Sequence, residues 1–97
     1  MPTYISLIHW TQQGIQTVKD APGRLDAAKQ ALQAAGGDRK ALYLVMGKYD
    51  FVLITELPDD EAAARFAIGN GMQGHVRTET MRAFTEDEYR QIVASLP

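Results

Sequence analysis

A polar turn between two apolar runs is the feature that most constrains how this chain folds. Residues 41–45 and 51–54 carry only aliphatic and aromatic side chains. The five residues that separate them, Met-Gly-Lys-Tyr-Asp, include the charged Lys48 and Asp50. Two runs of strand-forming residues joined by a short connection that contains glycine predict a β-hairpin. In its turn we expect Gly47 to take a positive φ and Asp50 to accept hydrogen bonds from backbone amides.

The rest of the chain reads as further strands and helices on both sides of this hairpin. β-Branched and aromatic residues at 3–10 predict a strand, and Thr11 can cap a short helical turn after it. A helix that begins with Asp20 as its cap and ends at Gly36-Gly37 comes next, and it is followed by the hairpin strands near 39–46 and 50–56. A second helix begins at 58–60 and gives way to a glycine-rich stretch at 69–74. A strand near 75–84 and a short helix begun by a capping box at Thr85–Glu88 complete the chain.

This order of elements predicts an α+β fold of the ferredoxin-like type. The pattern is βαββαβ with an additional C-terminal helix, and residues 1–97 form it as a single domain. A right-handed crossover joins the first two strands, and the third strand folds back between them. The expected result is an antiparallel sheet with the strand order 4-1-3-2.

Three of the predicted strands carry apolar residues on both faces. Ile5 and Leu7 alternate with Tyr4 and Ile8 in the first strand, and the third strand repeats the pattern. Helices from one such domain cover a single face of the sheet, so another subunit is expected to cover the other face. We therefore expect a homodimer, or a higher homo-oligomer, whose sheets pack back to back.

The predicted topology gathers chemically capable residues at one end of the sheet. They come from the end of the first strand, the hairpin turn and the start of the fourth strand: His9, Trp10, Lys48, Tyr49, Asp50, His75 and Arg77. His9 and Asp50 share the alternation of the apolar residues beside them, so both are expected to lean towards the helices. The glycine-rich stretch enters from the same side and is expected to form a flexible lid.

Two interpretations of these residues stay open. In the functional one, Asp50 is a general base or orients a histidine, Tyr49 donates a hydrogen bond to a substrate oxygen, and His9 takes part in acid–base chemistry. The remaining residues are then ligand contacts, with the cations holding an anionic group: Trp10, Lys48, His75 and Arg77. In the structural one, Gly47 and Asp50 serve the turn and Tyr49 covers the dimer edge.

Several function classes find no support in the chain. It has no cysteine, and nothing in the spacing of its two histidines requires a metal, so we expect neither a metal ion nor a cofactor. The segment Gly69–Gly74 matches G-x-G-x-x-G, but it follows a helix and precedes a strand, the reverse of what dinucleotide binding needs. A net charge of −2 with scattered cations indicates no nucleic-acid surface. With no signal peptide or membrane span visible, we expect a cytoplasmic protein that does not bind membranes.

Several segments together resemble the GYD domain family. They are Gly47-x-Tyr49-Asp50 after an apolar strand, Tyr4-Ile-Ser-Leu-Ile8 at the start, and Val76-Arg-Thr78 followed by Arg82-Ala-Phe-Thr-Glu86 near the end. The resemblance covers nearly the whole chain and implies a dimeric α/β barrel. It brings no assigned activity and no catalytic residues. Relatives in the wider superfamily include cofactor-independent monooxygenases and ligand-sensing modules of regulators, but kinship of fold does not assign a function.

Two hypotheses for the function follow. The first is a small homo-oligomer that binds a small organic molecule in the helix–sheet cleft, with or without cofactor-independent acid–base catalysis. The second is a non-enzymatic sensory or protein-interaction module that dimerises through its sheet. The cleft separates them, because ligand sites usually have volumes of about 300 Å³ or more and the second hypothesis expects a filled cleft.

Overall fold

Four strands form one antiparallel sheet around the predicted hairpin. The computed structural model describes residues 1–97, and its strands are β1 (Thr3–Trp10), β2 (Asp38–Leu44), β3 (Phe51–Glu56) and β4 (Val76–Ala83). The hairpin consists of β2 and β3, and its turn contains Gly47 at the expected positive φ of 121°. The order across the sheet is β2-β3-β1-β4, which confirms the predicted order 4-1-3-2.

Four α-helices connect and follow the strands. They are α1 (Gln12–Gln16), α2 (Ala21–Ala34), α3 (Asp60–Met72) and α4 (Glu86–Ala94), with a 3-10 turn at Val18–Asp20 before α2. This succession confirms the predicted α+β, ferredoxin-like arrangement with an extra C-terminal helix. None of the helices has the length and apolar character needed to cross a lipid bilayer.

Two helices begin with the predicted threonine caps. At α1, Thr11 Oγ1 accepts a hydrogen bond from the Gly14 N–H at 3.1 Å. At α4, Thr85 Oγ1 accepts from the Glu88 N–H at 3.2 Å, and Glu88 Oε1 accepts from the Thr85 N–H at 2.9 Å, so both halves of the capping box are made. The bond from the Thr85 amide favours the charged carboxylate and lowers the pKa of Glu88.

The two ends of α2 differ in how well the sequence predicts them. Its C-terminus is confirmed, since Gly36 has φ of 83° and the Gly37 N–H donates to the Leu32 carbonyl at 2.9 Å. At its N-terminus, the predicted start directly after Asp20 is confirmed, but the expected capping by the Asp20 side chain is wrong, because Asp20 makes no capping bond. The 3-10 turn runs directly into α2, which gives Asp20 helical backbone angles in place of the extended ones that a capping side chain needs.

Helix α3 is longer than the sequence predicts. The stretch expected to be a flexible lid is helical as far as Met72, and the first residue with a positive φ is Gly74. Each glycine in a helix costs about 1 kcal/mol relative to alanine. That cost is offset because Phe66 and Asn70, one turn apart on α3, both face the interior between the helices and the sheet. The predicted lid is therefore wrong.

The helices cover one face of the sheet, and the residues of β1 alternate between that face and the open one. Tyr4, Ser6 and Ile8 are buried beneath the helices, whereas Ile5 and Leu7 lie on the open face and are partly exposed. The core cluster joins β1 to α2 and α3 and consists of Tyr4, Leu32, Leu57, Ala62 and Ala63. Only ten of the 97 residues are buried, so much apolar surface remains outside the core.

Part of that surface forms an apolar strip across the open face of the sheet. The strand register places its members side by side in two neighbouring rows: Met81, Ile5 and Ile54 in one, and Leu7 and Val52 in the next. These residues are partly or well exposed, and Met81 is 44% exposed. The sheet is therefore apolar on both faces, as the alternation in the sequence predicts.

Tyr4 links β1 to α3 and should make stability depend on pH in the alkaline range. Its hydroxyl donates to Asp60 Oδ1 at 2.5 Å, and burial together with this bond raises the pKa of Tyr4 from 10.0 to about 12. The unfolded chain therefore loses this proton first. We predict that the free energy of unfolding falls as the pH rises from about 10 to about 12, and that Tyr4→Phe shows a smaller fall. Urea unfolding at several pH values measures both, and equal falls would contradict the assignment.

Gly14 allows α1 to pack against the start of β4. A Cβ atom built on Gly14 would overlap the His75 carbonyl oxygen, whereas nothing lies within 4 Å of a Cβ on Gly23 in α2. We predict that Gly14→Ala lowers the free energy of unfolding by about 2–3 kcal/mol, because backbone must move. The matched variant Gly23→Ala should raise it by about 0.5–1 kcal/mol. Urea denaturation compares the two, and an unaffected Gly14→Ala variant would rule out the close approach.

Candidate functional site

The predicted site residues lie on two different sides of the sheet. Ile8 and Trp10 of β1 face the helices, so Leu7 and His9, which alternate with them, face the open side. The expected orientation of His9 towards the helices is therefore wrong. Because both faces of β1 are apolar, the alternation alone does not reveal which set of residues the helices cover.

Four side chains form a cluster on the open face beside the hairpin turn. The rings of His9 and Tyr49 pack with 4.7 Å between their centroids, and the Tyr49 hydroxyl donates to Glu79 Oε2 at 3.1 Å. Lys48 Nζ lies 5.6 Å from the centroid of the Tyr49 ring. Arg77 is the register partner of His9 on β4 and is exposed. This open-face cluster, His9, Lys48, Tyr49 and Glu79, ties the turn to β1 and β4.

Asp50 is engaged by the backbone between β1 and the hairpin. Its Oδ2 accepts from the Trp10 N–H at 2.9 Å, its own N–H donates to the Ile8 carbonyl at 2.8 Å, and its carbonyl accepts from the Val45 N–H at 2.9 Å. No hydrogen bond links its carboxylate to either histidine. Asp50 thus extends the pairing of β1 with β3 and closes the hairpin.

A cavity of about 100 Å³ lies between the helix-covered face of the sheet and helices α2 and α3. Trp10 and Phe51 pack edge to face in its wall, with 5.2 Å between their ring centroids. Most of the remaining wall is apolar and includes Leu25, Ala28, Leu42 and Phe66. The volume is about a third of the lower end for ordinary ligand sites, so a substrate of usual size does not fit.

One polar residue of the cavity wall carries a buried nitrogen without a partner. His75 Nδ1 is buried and makes no hydrogen bond. The other ring nitrogen, Nε2, lies 3.5 Å from Gln13 Nε2. Because an amide nitrogen only donates, this contact favours the tautomer with its hydrogen on Nδ1. His75 therefore carries a buried donor that has no acceptor.

The structure separates the predicted site residues into two groups. Trp10 and His75 line the cavity, whereas His9, Lys48, Tyr49 and Arg77 belong to the opposite side of the sheet. The two histidines and Asp50 are not assembled into one site, and no group of three or more His, Asp or Glu side chains is close enough to hold a metal ion.

Sequence reasoning missed five polar residues that line the cavity: Arg24, Lys29, Arg39, Asn70 and Gln73. Arg24 lies one helical turn before Ala28 on α2. Helical spacing in the sequence therefore already places Arg24 on the side of α2 that carries Ala28. Asn70 and Gln73 are three residues apart at the end of α3. Their common side becomes visible only once this stretch is recognised as helix.

Sequence comparison relates the chain to one family over nearly its whole length. The model of the GYD domain family matches residues 4–93. A Thermus thermophilus protein named glutamine synthetase and cystathionine beta-lyase binding protein is 37% identical over 84 residues, which cover 86% of this chain and 88% of that protein.

Solved structures share the fold. A feast or famine regulatory protein from M. tuberculosis, complexed with L-methionine, has a TM-score of 0.65 at 18% identity and covers 88% of this chain, which spans about half (51%) of that protein. A crystal structure of a Thermus thermophilus protein has a TM-score of 0.55 at 26% identity and covers 88% of this chain and 95% of that one. A hypothetical protein from Pyrococcus horikoshii gives 0.54 at 22% identity and covers 89% and 93%.

The backbone bonds of Asp50 predict that its loss affects stability. Asp50→Ala leaves the Trp10 N–H without its acceptor and should lower the free energy of unfolding by about 1–2 kcal/mol. Asp50→Asn keeps an acceptor oxygen and should lose less. The control Asp26→Ala removes an exposed carboxylate of α2 and should change stability by less than about 0.5 kcal/mol. Urea denaturation measures all three, and a wild-type midpoint for Asp50→Ala would contradict this role.

Proposed function

The chain belongs to the GYD domain family, and from this membership and its exposed surface we propose that it is a non-enzymatic binding protein that docks onto a metabolic enzyme. The docking surface in this proposal is the apolar stripe of α4. A homodimer formed through the open face of the sheet presents two copies of that stripe. The protein then acts in the cytoplasm, the compartment expected from its sequence.

The observation that carries the proposal is the unpartnered apolar side of α4. Three residues of α4 and Leu96, just after its end, form one stripe, and each is between 45% and 64% exposed: Tyr89, Ile92, Val93 and Leu96. No residue of α4 is buried against the rest of the protomer. An isolated helix of nine residues is only marginally stable in water. Amphipathic helices of this kind commonly dock into apolar grooves of other proteins.

The charges of α4 describe the groove that fits it. Its first turn carries Glu86, Asp87 and Glu88, whereas its last turn carries no basic residue. A complementary partner surface therefore has an apolar groove with basic residues at the end that meets this turn. This chemistry points to another protein, because a small molecule cannot cover a stripe four residues long.

The candidate site residues argue for binding in preference to catalysis. The Asp50 carboxylate already accepts a backbone hydrogen bond, and His9 and His75 lie on opposite sides of the sheet. The cavity of about 100 Å³ is also smaller than the sites that hold ordinary substrates. None of Asp50, Tyr49 and His9 lines that cavity, so it offers them no enclosed space for acid–base chemistry.

The relative from Thermus thermophilus suggests the class of partner. Its name describes a protein that binds glutamine synthetase and cystathionine beta-lyase, and the similarity extends over most of both chains. On that basis we take these two enzymes as the partners to test. A small organic ligand, bound in the cavity beside Trp10 and His75, is a second candidate function that does not compete with the first.

Binding to the purified enzymes tests the proposal directly. The full chain is immobilised, and glutamine synthetase or cystathionine beta-lyase from the same organism flows over it in surface plasmon resonance. We predict binding to at least one enzyme, and a weakening of about tenfold or more in Ile92→Glu, because a charge enters the docked stripe. Gln91→Glu places the same charge on the opposite side of α4 and should change the affinity by less than about twofold.

The oligomeric state supplies the second readout. By sedimentation we expect a dimer that Leu7→Arg converts to a monomer and that Ile92→Glu leaves intact, because Leu7 lies in the strip across the open face. Binding of neither enzyme would overturn the enzyme-docking role. If Ile92→Glu and Gln91→Glu weaken enzyme binding equally, the stripe is not the contact. A monomeric wild-type protein would exclude the dimer.

A further inference from the structure

We propose that the cavity between α2, α3 and the sheet binds a short aliphatic monocarboxylate of roughly four to six carbon atoms. This site is distinct from the α4 stripe, and its ligand is a small anion that the docking role does not require. The size of the cavity, the apolar part of its wall and the charges in that wall each support the same class of ligand.

The volume sets the size of the ligand. A cavity needs about 10–15 Å³ of volume to hold one water molecule. A volume of about 100 Å³ therefore holds roughly seven to ten molecules of that size, or the same number of non-hydrogen ligand atoms. An aliphatic acid of six carbons has a size in this range. Larger ligands such as nucleotides or fused aromatic rings are excluded unless the helices move apart.

The apolar part of the wall suits a hydrocarbon tail. Trp10 and Phe51 meet edge to face on the sheet side, and Leu25 and Ala28 of α2 lie across from the sheet. A tail placed here would remove apolar surface from water on both sides, which is the main favourable term for a ligand with few polar atoms. The small side chain of Ala28 leaves room that a longer residue would fill.

The charged part of the wall suits a carboxylate. Three cations line the cavity, Arg24, Lys29 and Arg39, and no acidic residue does. None of the three forms an ion pair, since the salt bridges of the protein involve other residues. The Arg24 guanidinium is held by neutral oxygens of Thr17 and Gly14, so its charge stays uncompensated. The local field therefore favours an anion.

His75 also belongs to the cavity wall. Its Nδ1 is buried without a partner, and the neighbouring Gln13 favours the tautomer in which this nitrogen donates. Because this nitrogen is closed even to water, a ligand oxygen pairs with it only after the His75 ring turns towards the cavity, and the turn would relieve an unpaired buried donor. Asn70 and Gln73 supply amide groups in the same wall.

The same wall should reject the amino acid with the same carbon skeleton. An ammonium group has no carboxylate partner in the cavity and would lie among three cations. Removing a charged amine from water without a partner is costly. The site therefore distinguishes 4-methylpentanoate from leucine, which differs from it by the amino group alone.

Fluorescence of Trp10 tests the proposal, because it is the single tryptophan and it lines the cavity. The full chain is titrated with 4-methylpentanoate, with leucine and with 4-methylpentan-1-ol, which keeps the tail and lacks the charge. We expect a saturable change for the acid with a dissociation constant on the order of 0.1–1 mM. Leucine and the alcohol should bind at least about tenfold more weakly.

Two variants and one control locate the ligand. Arg39→Gln removes a wall cation and should weaken binding of the acid by about three- to tenfold with little effect on the alcohol. Ala28→Leu fills the cavity and should abolish the response to all three compounds. Lys19→Gln removes an exposed cation that does not line the cavity and should leave the titration unchanged.

Three results of these titrations would contradict the carboxylate site. No saturable response to the acid in the wild-type protein overturns the site, and so does leucine binding as tightly as the acid. Equal weakening by Arg39→Gln and Lys19→Gln shows a general charge effect and also overturns it. Should Ala28→Leu not fold, the comparison of the three ligands and the Arg39→Gln variant decide the question. None of these measurements involves an enzyme partner, so their failure leaves the docking proposal untouched.

Discussion

The pleat of β1 is the constraint on which the rest of this structure depends. β1 is the strand that pairs with two neighbours along most of its length, β3 on one side and β4 on the other. Because successive side chains point to opposite faces, its position beneath the helices decides the face of every aligned residue. Tyr4 therefore lies in the core, and Ile8 and Trp10 line the cavity. Ile5, Leu7 and His9 lie on the open face, so the cavity and the apolar strip of the proposed dimer both follow from this division.

The fold could be predicted from the sequence because several local signals agree with one topology. The turn at Gly47, the threonine caps of α1 and α4 and the glycines after α2 each specify a boundary from a few neighbouring residues. The order of elements then leaves the ferredoxin-like sheet as the simplest arrangement. Such signals are local, and they need no knowledge of what packs against them. The start of α2 after Asp20 was predicted correctly, but the capping bond expected of the Asp20 side chain is absent because the preceding 3-10 turn gives Asp20 helical backbone angles.

The candidate site could not be predicted to the same degree because it depends on packing. Both faces of β1 are apolar, so the sequence did not reveal that His9 and Trp10, adjacent in the chain, lie on opposite sides of the sheet. The glycines of α3 suggested a loop, yet the helix continues to Met72 with Phe66 packed against the core, and it brings Asn70 and Gln73 to the cavity. Arg24 was missed because a cation on an apolar helix stripe is usually a solvated residue, and here neutral oxygens hold its head group.

The Gly-x-Tyr-Asp segment illustrates how residues with catalytic potential can serve architecture. Gly47 provides the positive φ of the turn, Tyr49 packs on His9 and donates to Glu79 on β4, and Asp50 accepts from the Trp10 amide. Each contact joins the hairpin turn to a different part of the neighbouring strands. In a chain with ten buried residues, such connections at the sheet end substitute for a larger core. The segment that most constrains the fold is therefore fully occupied by holding it, and the surfaces free to bind other molecules lie elsewhere, on α4 and in the cavity.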